Sequence, residues 1–312
     1  MRRGVDLTQI EAAHRKRTKA AALLIFILMP LTILAGMVLG GDRQYMLVST
    51  MLLVYTMLPF YMVFEKRKPK AREIVLIAMM SALIICIHMA CRFTVPLKAG
   101  SALVIISGIT LGPEAGFLIG SLSRFVLNFY EGQGPWTPWQ MFSWGLLAFL
   151  AGLAFNKPTV EKLKSRNLQV VMGPVLCIAV GGIAAYICYL LFPGEDGTFL
   201  GWRLYVFGAL GMLVGVLLQR RRLPVDDLTL TLFTFFSIFI IYGGLLNICA
   251  MTTAAGIPGA DEISWGTLKG LYISGVPYDF WHAAWAAVFN FFFGNMFITK
   301  LERIKMKYGI YR

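Results

Sequence analysis

The chain has 312 residues, of which 58% are hydrophobic and only 14% charged, and it carries a formal net charge of +13. A soluble domain is about 45–50% apolar and about 25% charged, which excludes an ordinary globular protein, a disordered chain, collagen and a coiled coil. The positive charge sits in short runs between apolar stretches, the pattern of membrane orientation signals rather than of a nucleic-acid-binding face.

In chain order, apolar windows fall at 20–40, 45–64, 73–91, 99–111, 113–130, 139–155, 168–192, 201–219, 228–254 and 278–299. They predict an all-α polytopic membrane protein of about ten helices. The first window follows the basic head Arg15, Lys16, Arg17 and Lys19 and precedes many further spans, so a retained helix is expected there rather than a cleaved signal. The fourth and fifth windows meet at Gly112-Pro113, where Pro removes a backbone donor and disfavours helix before it, so a tight turn is expected.

The segments 1–19, 65–72, 156–167, 219–227 and 300–312 hold 6, 5, 4, 3 and 5 Lys plus Arg, 23 of the 29 in the chain. The alternate connections hold Arg43, Arg92, Lys98, Arg203 and Lys269, and only Arg124 lies deep in a span. The positive-inside rule therefore places both termini and all five basic segments in the cytoplasm. Trp136, Trp139, Trp144, Trp202, Trp265, Trp281 and Trp285 all fall at the outer side, which suggests an outward pocket lined by aromatics; a one-sided interfacial belt is the plainer explanation.

Little in the chain does chemistry. There is no phosphate-cradling GxxxxGK[ST], no HExxH and no GxSxG. The five cysteines form no CxxC pair and read as free, buried thiols, so neither a metal site nor a cofactor is expected. None of the 16 Asp and Glu lies mid-span, where a proton-coupled transporter usually keeps a carboxylate. His88 reads as a helix-to-helix hydrogen bond. Arg124 needs an internal partner, either Asn128 or an outer carboxylate, unless it caps a substrate anion. Asp226-Asp227 beside Arg220, Arg221 and Arg222 is the one candidate Mg²⁺ site for a membrane enzyme, and a helix-start acid pair explains it better.

Glycines 108, 112, 116 and 120 recur every four residues, and Ala78 and Ala82 give the third span a small face, as helices packed closely in lipid require. The outer connection GQGPWTPWQM (132–141) combines two Pro, two Trp and several hydrogen-bonding groups, as a fixed lid over a ligand or a structural cap would. At 275–282, Asp279 and His282 are three residues apart at the expected mouth of the last helix, where Asp279 is equally an N-cap.

Together the Ala78/Ala82 pair, the run GITLGPEAGFLIGSLSRFVLNF (108–129), the loop 132–141 and the ending VPYDFWHA (276–283) with KLERIKMKYG (300–309) resemble the substrate-binding S components of energy-coupling-factor vitamin transporters. The loop and the ending most resemble the cobalamin type. The resemblance implies a six-helix core within a substrate-binding membrane domain, 69–312. A cytoplasmic tail and two-helix module at 1–68 and an inserted hairpin at 168–222 are then additions. It also implies a non-enzymatic subunit in the bacterial cell membrane that binds a vitamin, with cobalamin or a related corrinoid expected. Ala78 and Ala82 would dock a transmembrane coupling protein that works with two cytoplasmic ATPases. Lys98, Gln133, Trp136, Thr137, Trp139, Gln140, Asp279 and His282 are the expected substrate contacts. A membrane enzyme acting on lipid or isoprenoid and a self-sufficient secondary transporter are the alternatives.

Overall fold

A computed structural model of the chain describes residues 71–94, 97–155, 181–192, 225–255 and 264–308, with isolated positions such as Met57, Tyr61, Arg203 and Leu223 between them. The window 20–40, all but isolated positions of the window 45–64, and most of the hairpin 168–222 lie outside the described residues. Those described are helical: α1 (Ala71–Thr94), α2 (Ala99–Leu111), α3 (Pro113–Glu131), α4 (Thr137–Ala154), α5 (Gly181–Leu191), α6 (Asp227–Phe236), α7 (Gly243–Ala254) and α8 (Trp265–Tyr308). A six-residue π segment, Ser237–Tyr242, joins α6 to α7. The single β contact among the described residues is an isolated bridge between Phe155 and Leu223.

All thirteen residues of α2 are buried, as expected of a helix apolar on every side. It is the axis of the bundle, packed by α1, α3, α4 and α8. The expected turn at Gly112-Pro113 forms: Gly112 takes φ +95° and Pro113 opens α3 at its first position, where its missing N–H has no helical partner to lose. Among the described residues, two stretches, Ala71–Arg92 and Asp227–Ala254, are long and apolar enough to cross a membrane. Ile74, Val75 and Met79 on α1 and Phe291, Phe292 and Met296 on α8 are exposed, an apolar surface that suits lipid and not water.

The glycine stripe holds α2, α3 and α4 together. A Cβ at Gly108 would lie 1.9 Å from the Ala148 carbonyl oxygen, one at Gly120 2.6 Å from that of Trp144, and one at Gly152 2.6 Å from the Pro113 nitrogen. These neighbours are backbone and have no rotamer to yield. Gly108→Val is therefore expected to destabilise the detergent-solubilised protein by about 3 kcal/mol, the upper end of ordinary overpacking. Gly182, where an added Cβ meets nothing within 4 Å, is the control. Equal unfolding temperatures for the two valine variants would show that α2 and α4 are not in backbone contact.

Two sequence expectations change. The last helix does not begin near residue 278: α8 runs from Trp265 through Pro277 to Tyr308, so Asp279 is no N-cap and 275–282 is no connection. A proline lacks the N–H for one helical bond, but a helix in a membrane tolerates this where its neighbours satisfy the freed groups. Of the described cysteines, only Cys249 is buried, whereas Cys86 is exposed on the apolar face of α1; a thiol is apolar enough to face lipid.

The start of α1 and the end of α8 meet at one end of the bundle. Arg72 donates to the Tyr308 carbonyl at 3.1 Å, and Lys305 bonds both Glu302 and the Thr110 carbonyl at the end of α2, where a cation meets the negative helix terminus. The opposite end gathers the end of α1, Lys98, Glu131 and the start of α4.

Candidate functional site

At that opposite end lies a cavity of about 320 Å³, lined by His88, Arg92, Leu97, Lys98, Arg124, Glu131, Gln140, Trp144, Tyr242, Leu246, Tyr278 and His282. Seven elements contribute, α7 through Leu246. α1 brings His88 and Arg92, the start of α2 brings Lys98, α3 brings Arg124 and Glu131, and α4 brings Gln140 and Trp144. The π segment ends on Tyr242, and α8 brings Tyr278 and His282. A π turn shifts the register of a helix and is frequent at functional sites; here it delivers Tyr242 to the wall.

Glu131 organises one side. Its Oε2 accepts from Arg124 at 2.8 Å, and its Oε1 meets Arg92 at 2.5 Å and His88 Nε2 at 3.0 Å. Glu131 lies just beyond the apolar window of α3. Burial pushes its carboxyl up, but the His88 hydrogen bond and the charges of Arg124 and Arg92 outweigh this and bring its pKa down to about 2. It is a carboxylate throughout the physiological range. Gln140 Oε1 accepts from Arg124 Nε at 3.0 Å, Arg124 Nη2 at 2.9 Å and Asn128 Nδ2 at 2.9 Å. Arg124 thus finds an outer carboxylate, and it meets Asn128 only through a shared acceptor. Its guanidinium also lies 5.4 Å from the centre of the Trp144 ring, within cation–π range.

On the other side His282 is buried in α8, with Nε2 2.9 Å from the Ser101 hydroxyl and its ring edge-on to Tyr242 at 4.8 Å. Two buried atoms on lining side chains have no hydrogen-bond partner among the described residues, Trp144 Nε1 and His282 Nδ1. Lys98, just before α2, makes no ion pair among the described residues. Burial holds its ammonium below the usual lysine range, Glu131 pulls it back up, and Arg92 and Arg124 push it down further.

Of the eight expected substrate contacts, Lys98, Gln140 and His282 line the cavity and the other five do not. Trp139 is 1% exposed and packs with Phe117, Phe142 and Phe149 in a separate apolar cluster. Trp136 is exposed, and its indole N–H donates to the Gly132 carbonyl at 3.3 Å. Thr137 donates to Gln133 and accepts from the Gly134 amide, while Gln133 reaches the Phe125 carbonyl. The loop thus spends these polar groups on itself. Asp279 accepts from Asn247 at 3.0 Å, which ties α8 to α7. Sequence inspection passed over Trp144, counted only as one more outer tryptophan, and Tyr242, which sits in an unbroken apolar run.

Asp226 caps α6, accepting from the Thr229 amide and hydroxyl at 2.8 Å each, and Asp227 accepts from Asn295. These bonds account for the acid pair as a helix start and an interhelical tie. Ala78 and Ala82 lie exposed on α1.

Residues 68–189 match the family model described as "ECF-type riboflavin transporter, S component". The matched stretch holds α1 to α4, hence Ala78, Ala82, Lys98, Arg124, Glu131 and Trp144; Tyr242, Tyr278 and His282 lie beyond it. The match supports an S component of an energy-coupling-factor transporter, which is a membrane transport family and not an enzymatic one. It does not single out the cobalamin type. No solved structure matches the chain.

Proposed function

We propose that the protein is the substrate-binding S component of an ATP-driven energy-coupling-factor importer, and that the cavity between α1, α2, α3, α4 and α8 is where its vitamin binds. One observation carries this: the family match spans the helices that build most of the cavity, and the cavity lies at the end opposite Arg72 and the basic last turn of α8, the outer face by the charge rule. Pockets of roughly 300–1,000 Å³ hold drug-sized ligands, so about 320 Å³ suits a compact vitamin. The matched family's name favours riboflavin, whereas the 132–141 loop and the 276–283 ending favour a corrinoid. A whole corrinoid is larger than the cavity, whose size favours a compact vitamin.

Energy comes from elsewhere in this reading. The exposed Ala78/Ala82 face of α1 docks the coupling protein, since small residues let helix backbones approach in lipid. Two ATPases then drive release inward. The purified chain should bind a vitamin in detergent by calorimetry against a panel that includes riboflavin and cobalamin. Vesicles holding the chain with its coupling protein and ATPases should take that vitamin up only with ATP. Ala82→Leu should bind as wild type does and lose uptake. ATP-independent uptake by the chain alone would establish a secondary transporter instead, and equal loss of binding and uptake in Ala82→Leu would assign that face to internal packing.

A further inference from the structure

The cavity wall has a surplus of donors. Three cations, Arg92, Lys98 and Arg124, face one carboxylate, Glu131. Both oxygens of that carboxylate are taken, Oε2 by Arg124 and Oε1 by Arg92 and His88. Gln140 has its side-chain oxygen filled by Arg124 and Asn128, and Asp279 pairs with Asn247 and does not line the cavity. Lys98 is left without an ion pair among the described residues.

Two further groups on the wall lack partners. Trp144 is 1% exposed and His282 6% exposed, yet Trp144 Nε1 and His282 Nδ1 bond nothing. An indole N–H can only donate. When the Ser101 hydroxyl donates to His282 Nε2, the neutral imidazole carries its proton on Nδ1 and donates there too. A buried polar group without a partner is costly, so two such donors on residues that line the same cavity as Lys98, which has no ion pair among the described residues, mark a place where an acceptor is missing.

We propose, resting on the S-component reading, that the vitamin bound here is an acid. Its carboxylate or phosphate seats against Lys98, Trp144 Nε1 and His282 Nδ1, and the rest of the molecule lies along Tyr242, Leu246 and Tyr278. An anion supplies several acceptor lone pairs at once and makes the charge-assisted bonds that a neutral carbonyl makes only weakly. The Glu131 cluster plays a different part: it holds Arg92 and Arg124 in place, so that their combined field stays positive while the anion itself meets Lys98.

The test compares matched pairs that differ only in the acidic group. These are nicotinate with nicotinamide, biotin with biotinamide, and flavin mononucleotide with riboflavin, titrated into the purified full chain in nanodiscs. The acid of at least one pair should bind about tenfold tighter than its neutral partner, equivalent to about 1.4 kcal/mol. Lys98→Met should shrink that difference below about threefold, and Lys98→Arg should keep most of it, which guards against a variant that merely folds badly. Trp144→Phe, which removes the N–H and keeps an aromatic ring, should weaken the acid more than the neutral partner. Equal or tighter binding of the neutral members, or an acid preference that survives Lys98→Met, overturns the inference and leaves the S-component reading intact. If no member of the wider vitamin panel binds, both fall.

Discussion

Arg124→Ala is expected to destabilise the solubilised protein by about 3–5 kcal/mol, the cost of breaking a buried ion pair from one side. The Arg124 side chain is 8% exposed and that of Glu131 13%. Truncation leaves Gln140 Oε1 with Asn128 alone and removes the one cation on Glu131 Oε2. Arg92 remains on Oε1 but is half exposed, so solvent screens it and it compensates only in part. Arg124→Lys should recover part of the loss, because an ammonium keeps the charge without the planar fork that serves Glu131 and Gln140 together. Arg124→Gln combined with Glu131→Gln should cost less than Arg124→Ala, since no buried charge is then left unpaired. Reversible unfolding in mixed micelles, or unfolding temperatures compared at one scan rate, checks the series. A stability of Arg124→Ala within about 0.5 kcal/mol of wild type, the ordinary range of a surface change, would show that water reaches this cluster freely.

The tryptophans of the outer loop make the second case. Sequence composition predicts that Trp136 and Trp139 serve alike, as aromatic anchors for a ligand. Their surroundings separate them. Trp139 is 1% exposed among Phe117, Phe142 and Phe149, so Trp139→Ala opens a large hole in a packed cluster and is expected to cost about 3–5 kcal/mol. Trp136 is 41% exposed and covers Gly134 and the Gly132 carbonyl, so Trp136→Ala should cost under about 1 kcal/mol. Neither side chain lines the cavity. Any loss of vitamin affinity in Trp139→Ala should therefore track the loss of folded protein and disappear when binding is expressed per folded molecule. A Trp139→Ala protein that stays fully folded and loses affinity about thirtyfold or more would restore it as an anchor.

The helical membrane class and the order of the helices from 71 to 154 were legible in the residues. Each follows from a local rule: apolar length for a span, and Pro with Gly for the turn at 112–113. Residue types and spacing also singled out Lys98, Gln140 and His282, which line the cavity. They also flagged Arg124 as a charge needing an internal partner, because a guanidinium within a span is costly wherever it goes.

Which partner it takes, and what faces the cavity, were decided by packing. Glu131 became the hub because α1 brings His88 and Arg92 against the end of α3, a meeting of residues about forty apart in the chain. Trp144 and Trp139 are five residues apart on α4, and the helical twist sends one to the cavity and the other into the aromatic cluster behind it. Tyr242 reaches the wall through a π turn for which its apolar run carries no signal. Asp279 and His282 share a helix face as their spacing requires, yet α7 presents Asn247 to the first and α2 presents Ser101 to the second. Local rules state what a residue needs; only the contacts between helices determine which neighbour supplies it, and among the described residues they leave Trp144 Nε1 and His282 Nδ1 without a hydrogen-bond partner.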